Sequence, residues 1–122
     1  MPAVTSDDAP IFDTGGATIT GLAAPSRGSR ETSAWRVRLR ADQPSPRHSL
    51  DREELFIVLS GAVTAQYDDG DETVSAGGAL IIPADTEFAI VARGEDAEAV
   101  CVLPAGGRAT AGGETFAPPW AQ

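Results

Sequence analysis

Apolar and polar residues alternate along several short stretches of the chain, most clearly from Ala34 to Arg40, AWRVRLR. Trp35, Val37 and Leu39 would share one face of an extended strand, because successive side chains of a strand point to opposite faces. The arginines between them would share the other face. This stretch is therefore predicted to be a strand with one buried face.

The arginine face of this strand has two interpretations. Arg36, Arg38 and Arg40 could simply face water, as on the outer surface of a sheet. Alternatively, Arg36 and Arg38 could point into the opening of the fold and bind a ligand carboxylate through paired hydrogen bonds. The alternation alone does not say which face points inward.

A different pattern runs from Glu54 to Leu59, ELFIVL, where both faces of the predicted strand are apolar after the glutamate. A strand that is apolar on both faces is buried on both faces. Leu55, Ile57 and Leu59 would share one of them, which needs a second sheet or a partner subunit as cover. One small domain has few spare elements for this, so a homodimer is expected.

The rest of the chain repeats short strand patterns separated by turn residues, and no segment has a helical period. This favours an all-β fold, an antiparallel barrel or sandwich. The further predicted strands are Ile11–Phe12, Ala17–Leu22, Ala62–Tyr67, Glu72–Ser75, Ala79–Pro83, Phe88–Ala92 and Glu98–Leu103.

With 122 residues the chain is expected to form one domain. Residues 1–10 are polar and acidic with two prolines, which predicts a flexible segment. Residues 11–104 hold the predicted strands. Residues 105–122 form a glycine-rich tail in which Phe116 and Trp120 are expected to pack on the barrel or on a partner.

The charge balance narrows the choice of partners. Nine basic and eighteen acidic residues give a net charge of -9, which repels nucleic acid and anionic lipid surfaces. No apolar run has the roughly 20 residues of a membrane span, and the first residues lack a signal-peptide pattern, so a cytoplasmic protein is expected. Cys101, the only cysteine, lies in an apolar run and is expected to be a buried small hydrophobic residue.

The candidate chemistry lies between Arg47 and Gly61, RHSLDREELFIVLSG. His48 is the only histidine of the chain, so any imidazole chemistry must occur there. Glu54 follows six residues later, at the start of the doubly apolar strand. His48 and Glu54 are the candidate catalytic residues, because they could pair and act as a general base or acid on a bound ligand. The alternative is a partly exposed loop histidine at His48 and, at Glu54, a carboxylate whose hydrogen bonds are satisfied.

This stretch resembles the first motif of the cupin family, which has the pattern HxH, three residues, E, six residues and G. His48, Glu54 and Gly61 match it, whereas Leu50 stands at the second histidine. The segment GGALIIPADTEF resembles the second motif, in which Phe88 stands at the histidine.

The resemblance extends over about residues 35–102 and implies a cupin-type double-stranded β-helix, a jelly roll that pairs into a homodimer. In metal-binding cupins three histidines and a glutamate hold one divalent ion, such as iron, manganese, nickel or zinc. Only His48 and Glu54 remain here, and of the nearby carboxylates only Asp51 and Asp85 could swing in to help. The resemblance therefore leaves open whether this degenerate site binds a divalent metal.

Replacing two histidines with Leu50 and Phe88 leaves a mainly apolar interior with a few polar groups, which is typical of a small-molecule site. Phe56 and Tyr67 are further candidate walls. The predicted function is binding of a small organic ligand. This ligand could be anionic if Arg36 and Arg38 bind it. The alternatives are a metal-dependent dioxygenase or isomerase with a repaired site, or a metal-free isomerase or cyclase that uses His48 and Glu54.

Overall fold

The computed structural model describes residues 2–122, in which all strand ladders are antiparallel and no α-helix is present. The predicted all-β fold is therefore confirmed. Its strands are β1 (Ile11–Asp13), β2 (Ala17–Ala23), β3 (Thr32–Leu39), β4 (Ser49–Leu50), β5 (Glu54–Ser60), β6 (Ala62–Tyr67), β7 (Gly70–Ser75), β8 (Ala79–Ile82), β9 (Ala89–Val91), β10 (Ala97–Pro104), β11 (Ala109–Ala111) and β12 (Glu114–Phe116). Short 3-10 helices span Pro25–Arg27 and Pro119–Ala121.

The strands form two layers. One layer is a six-stranded sheet in the order β1-β2-β3-β10-β5-β8. The other combines two three-stranded sheets, β7-β6-β9 and β12-β11-β4, which are joined by an antiparallel bridge between His48 and Phe88. The core lies between these layers, as in a jelly roll.

The predicted alternation of β3 is confirmed. Trp35, Val37 and Leu39 are buried in the core, 4 to 6% exposed. Arg36 and Arg38 point outward, where both form ion pairs with Glu98 on the neighbouring strand β10. The interpretation that places these arginines in the mouth of the barrel is therefore wrong. The side chains of β3 that point into the core are those of Trp35, Val37 and Leu39, and the arginines lie on the opposite face.

Strand β5 turns Glu54, Phe56 and Val58 into the core. Its other face is not covered within residues 2–122, since Ile57 is 40% exposed and Ile81 of the edge strand β8 is 62% exposed. The second layer packs on the inner side of the sheet and does not cover this face. The homodimer stays a prediction, which light scattering at micromolar concentration would decide.

Gly61 links β5 to β6 in a conformation that requires glycine. Its φ is +69°, and a Cβ there would lie 2.7 Å from the carbonyl oxygen of Asp96. A side chain at this position would therefore meet both backbone strain and a direct clash. This is the physical reason for the glycine that closes the first motif.

The C-terminal residues pack on their own barrel. Strand β11 pairs with β4, and Ser33 donates a buried hydrogen bond of 3.0 Å to the carbonyl oxygen of Ala121. The ring of Trp120 lies 6.0 Å from that of Phe12 and 6.3 Å from that of Trp35. Residues 105–122 thus contribute β11 and β12 to the second layer and contact β3 through Trp120 and Ala121.

The N-terminal residues also contact the barrel. The guanidinium of Arg27 donates hydrogen bonds of 2.9 Å to the Thr5 carbonyl oxygen and to the Asp8 carboxylate. Within residues 2–10 there is no strand or helix, as expected. Across residues 2–122, no helix is long and apolar enough to cross a membrane.

Candidate ligand pocket

A pocket of about 340 Å³ lies between the two layers. Its walls are mainly apolar and include aromatic rings from the central strands and from the C-terminal tail. Its large apolar wall residues include Trp35, Leu50, Phe56, Ile90, Phe116 and Trp120. The ionisable side chains that line it, among the described residues, are His48, Glu54 and Cys101.

The register of the six-stranded sheet places Glu54 and Cys101 beside the aromatic wall residues. Phe56 lies opposite Cys101, and Cys101 lies opposite Trp35, so one row crosses β5, β10 and β3. Glu54 is two residues before Phe56 and shares its inward face. Trp120 then packs over Trp35, which closes this side of the pocket.

Glu54 is a buried carboxyl with no partner. It is 4% exposed, and within the described chain no donor is bonded to its carboxyl group. Burial raises the pKa of Glu54 from its usual 4.5 to about 8, because the charged form would lose its hydration. At neutral pH the carboxyl is therefore mostly protonated and can donate a hydrogen bond.

His48 lines the same pocket. Its Nδ1 lies 2.9 Å from the carbonyl oxygen of Pro46. A carbonyl can only accept a hydrogen bond, so Nδ1 carries the hydrogen and the other ring nitrogen, Nε2, is free to accept a proton. Burial lowers the pKa of His48, which keeps the imidazole neutral at pH 7.

Cys101 is buried, as expected from the sequence, with 1% exposure. Burial, and then the nearby Glu54, raises the pKa of the thiol. The thiol therefore stays protonated at neutral pH and is a poor nucleophile. Cys101 is a small wall residue of the pocket.

The sequence-predicted site residues separate into three groups. His48, Leu50, Glu54 and Phe56 line the pocket together. Phe88 lies behind His48, fully buried, with the two rings 4.4 Å apart, so it supports the pocket without lining it.

Three predicted binding residues lie elsewhere. Tyr67 is half-buried at the end of β6 and is not part of the pocket wall. Arg36 and Arg38 lie on the outer face of β3, where no ligand inside the barrel reaches them. The structure therefore removes the basis for expecting an anionic ligand at these arginines.

Two parts of the wall were not predicted from the sequence. The loop at residues 43–46 lies at the pocket opening, and the tail contributes Phe116 and Trp120. The aromatic residues beside Pro118 and Pro119 were a signal that the tail packs back. Nothing local to the tail indicated that it forms a pocket wall.

The residues present do not fit a divalent metal ion. Leu50 and Phe88 offer no lone pair, and residues 2–122 contain no group of three or more His, Cys, Asp or Glu side chains that could hold one. Asp51 is engaged elsewhere, because its carboxylate accepts a 2.8 Å hydrogen bond from the Arg108 amide. Asp85 is exposed. The donor set is therefore too small for a stable metal centre.

Comparison with known families gives one match, to the family described as Cupin domain, over residues 35–103. This is more than half of the chain and includes both motifs. No curated protein sequence matches the chain.

Several solved structures are similar to this fold. The polyketide cyclase RemF from Streptomyces resistomycificus is 19% identical with a TM-score of 0.75, and the match covers 98% of this chain and 88% of RemF. KdgF from Halomonas sp. is 19% identical with a TM-score of 0.68, over 82% and 91%. An oxalate decarboxylase variant from Bacillus subtilis is 17% identical with a TM-score of 0.74, over 84% and 29%. At these identities the likeness concerns the fold alone.

Proposed function

Because the chain belongs to the cupin family, as its match over residues 35–103 shows, we propose that its barrel binds a small, mainly apolar organic molecule. The observation that carries this proposal is the pocket of about 340 Å³ with rings and aliphatic side chains as walls. Pockets of this size and character are typical small-molecule sites. Cupin relatives bind small ligands, which supports the same class of function.

The energetics favour an apolar ligand. Removing apolar surface from water stabilises a complex by roughly 25 cal/mol per Å². Trp35, Phe56 and Trp120 provide broad ring surfaces for such burial. A flat molecule of two fused rings would contact these surfaces with little loss of internal freedom.

Naphthalene is the simplest probe of this proposal. We expect it to bind the purified protein with micromolar affinity in a calorimetric titration. Ala111→Trp should abolish binding, because Ala111 is a half-buried wall residue of β11 and the larger side chain would fill the space.

The matched control is Thr110→Trp. Thr110 is adjacent on β11 but exposed and outside the pocket wall, so naphthalene should bind this variant as it binds the unmodified protein. Equal loss in both variants, or no heat of binding to the unmodified protein, would contradict a ligand site inside the barrel.

A second candidate function is acid–base chemistry on the bound molecule, and the states of Glu54 and His48 favour it. A protonated carboxyl and a neutral imidazole face one pocket, with a raised pKa for the acid and a lowered pKa for the base. Such opposed shifts are typical of general acid and base pairs. The presence of a polyketide cyclase among the similar structures is consistent with this candidate.

The step that this pair supports is enolisation of a ketone. Glu54 would give its proton to the carbonyl oxygen, and Nε2 of His48 would take a proton from the adjacent carbon, which leaves an enol, a carboxylate and an imidazolium. Reversal returns both protons. No electrons are exchanged with another reagent.

Deuterium exchange at the methyl group of 2-acetylnaphthalene in D₂O tests this candidate. We expect exchange at least about tenfold faster than in buffer, unchanged by a chelator, because general acid–base catalysis contributes roughly 100-fold or more with a well-placed substrate. His48→Ala should return the rate to that of buffer. An undiminished rate in that variant would contradict the assigned base.

A further inference from the structure

Charged groups are distributed very unevenly between the pocket and the outer surface. Across residues 2–122, none of the nine arginines lines the pocket, and the chain has no lysine. Six of them form ion pairs with carboxylates on the protein surface: Arg27, Arg36, Arg38, Arg40, Arg47 and Arg93. The interior therefore offers no cation to neutralise an anionic ligand.

Glu54 makes the pocket unfavourable to anions for a second reason. A ligand carboxylate beside it would lose most of its hydration and, with no arginine or lysine in the pocket wall, would find only the Glu54 hydroxyl and the neutral imidazole of His48 as partners. Burying a charge without a partner is far more costly than burying a neutral polar group. The protein's net charge of -9 adds long-range repulsion.

The same carboxyl is suited to a neutral acceptor. Of its two oxygens, only Oε1 is fully enclosed without a partner, so Oε2 is the oxygen that the pocket reaches. In its acid form the carboxyl can donate one hydrogen bond and still accept another. A ligand oxygen that accepts from the carboxyl at Oε2 would therefore gain a hydrogen bond that no group of the described chain supplies.

We infer that the pocket selects an uncharged molecule whose oxygen accepts a hydrogen bond from Glu54, with an aromatic ketone as the simplest class that fits. This rests on the proposed binding function and specifies its ligand. The rings of Trp35, Phe56 and Trp120 hold the aromatic part, and Glu54 provides the polar anchor. The corresponding aromatic carboxylate is rejected.

Three probes of nearly the same shape test the inference by calorimetry near neutral pH: naphthalene, 2-acetylnaphthalene and 2-naphthoate. We expect the ketone to bind about three- to tenfold more tightly than naphthalene, the gain of one net hydrogen bond. The carboxylate should bind at least about tenfold more weakly than the ketone. This ranking on the unmodified protein tests the preference for an uncharged ligand without any variant.

Two substitutions identify the group responsible. Glu54→Leu removes the donor and should abolish the preference for the ketone while naphthalene still binds. Glu54→Gln keeps a donor in its amide and should retain the preference. If Glu54→Leu does not fold, the comparison of Glu54→Gln with the unmodified protein and the ranking of the three probes still test the inference.

The possible failures are distinguishable. If the carboxylate binds as tightly as the ketone, or if Glu54→Leu keeps the full preference for the ketone, the inference is overturned while an apolar binding site stands. If naphthalene and both derivatives fail to bind, the proposed function is overturned, and the inference falls with it.

Discussion

The free energy of unfolding should fall by about 3 kcal/mol as the pH rises from about 6 to about 9. Glu54 is the cause, because burial raises its pKa in the folded chain from 4.5 to about 8. Over most of this range the unfolded chain has lost the carboxyl proton and the folded chain still holds it. A rise in pH therefore favours the unfolded chain, and the loss is complete once the pH exceeds the folded pKa. Urea denaturation at a series of pH values, followed by tryptophan fluorescence, measures this change.

Glu54→Gln is the control for this prediction, since it keeps the shape of the side chain and removes its titration. The difference in unfolding free energy between the variant and the unmodified protein should grow by about 3 kcal/mol over the same pH range. His48 affects stability only at the acidic end of the pH range. Burial lowers its pKa, so its contribution to the free energy of unfolding is lost as the pH falls below about 6.5. Parallel pH curves for the two proteins would show that Glu54 ionises normally in the fold.

Phe88→Ala should lower the free energy of unfolding by about 3 to 5 kcal/mol, the usual cost of removing a fully buried aromatic ring. Phe88 is 0% exposed and packs against the rings of His48 and Phe56. Its backbone also pairs with that of His48, which joins the two halves of the second layer. Denaturant unfolding measures the loss.

Phe116→Ala is the matched control, because Phe116 is 40% exposed on β12 and carries the same chemical change. Its cost should be smaller, about 1 to 2 kcal/mol, since 40% of its surface stays exposed to water in the folded chain. Comparable losses in the two variants would contradict a core role for the position where other cupins have a histidine.

Local sequence patterns predicted the strands but not the side on which each face lies. The alternation in β3 clearly separates Trp35 and Val37 from Arg36 and Arg38. It does not show which of the two faces points into the core. The choice depends on β10, about 60 residues later, whose Glu98 meets the arginines on the outer face. Pairing between distant strands is information that a local pattern lacks.

The tail was the least predictable part of the fold. Strands β11 and β12 have three residues each, too short for an alternation to be recognised. Their position depends on β4, which is about 60 residues away in the chain. The aromatic residues predicted that the tail packs on something, but only contacts with Phe12 and Trp35 place Trp120 at the pocket.

The candidate site was predictable in its location but not in its chemistry. The spacing of the first motif brings His48 and Glu54 to one pocket, and the same motif predicted the loss of metal ligands at Leu50. The protonation of Glu54 depends on the absence of any donor or cation on the strands around it. That absence is a property of the assembled core, so the sequence left open whether Glu54 serves as an acid or a base, and the fold keeps it as a carboxylic acid.

A neutral organic molecule is expected in this cupin barrel at the place where metal-binding cupins hold an ion. Native mass spectrometry tests it most directly, on protein purified without chelator or affinity metal and mixed with 2-acetylnaphthalene. We expect one ketone per chain and no mass increment of a metal ion. A metal ion on nearly every chain, or the absence of a ketone complex, would contradict it.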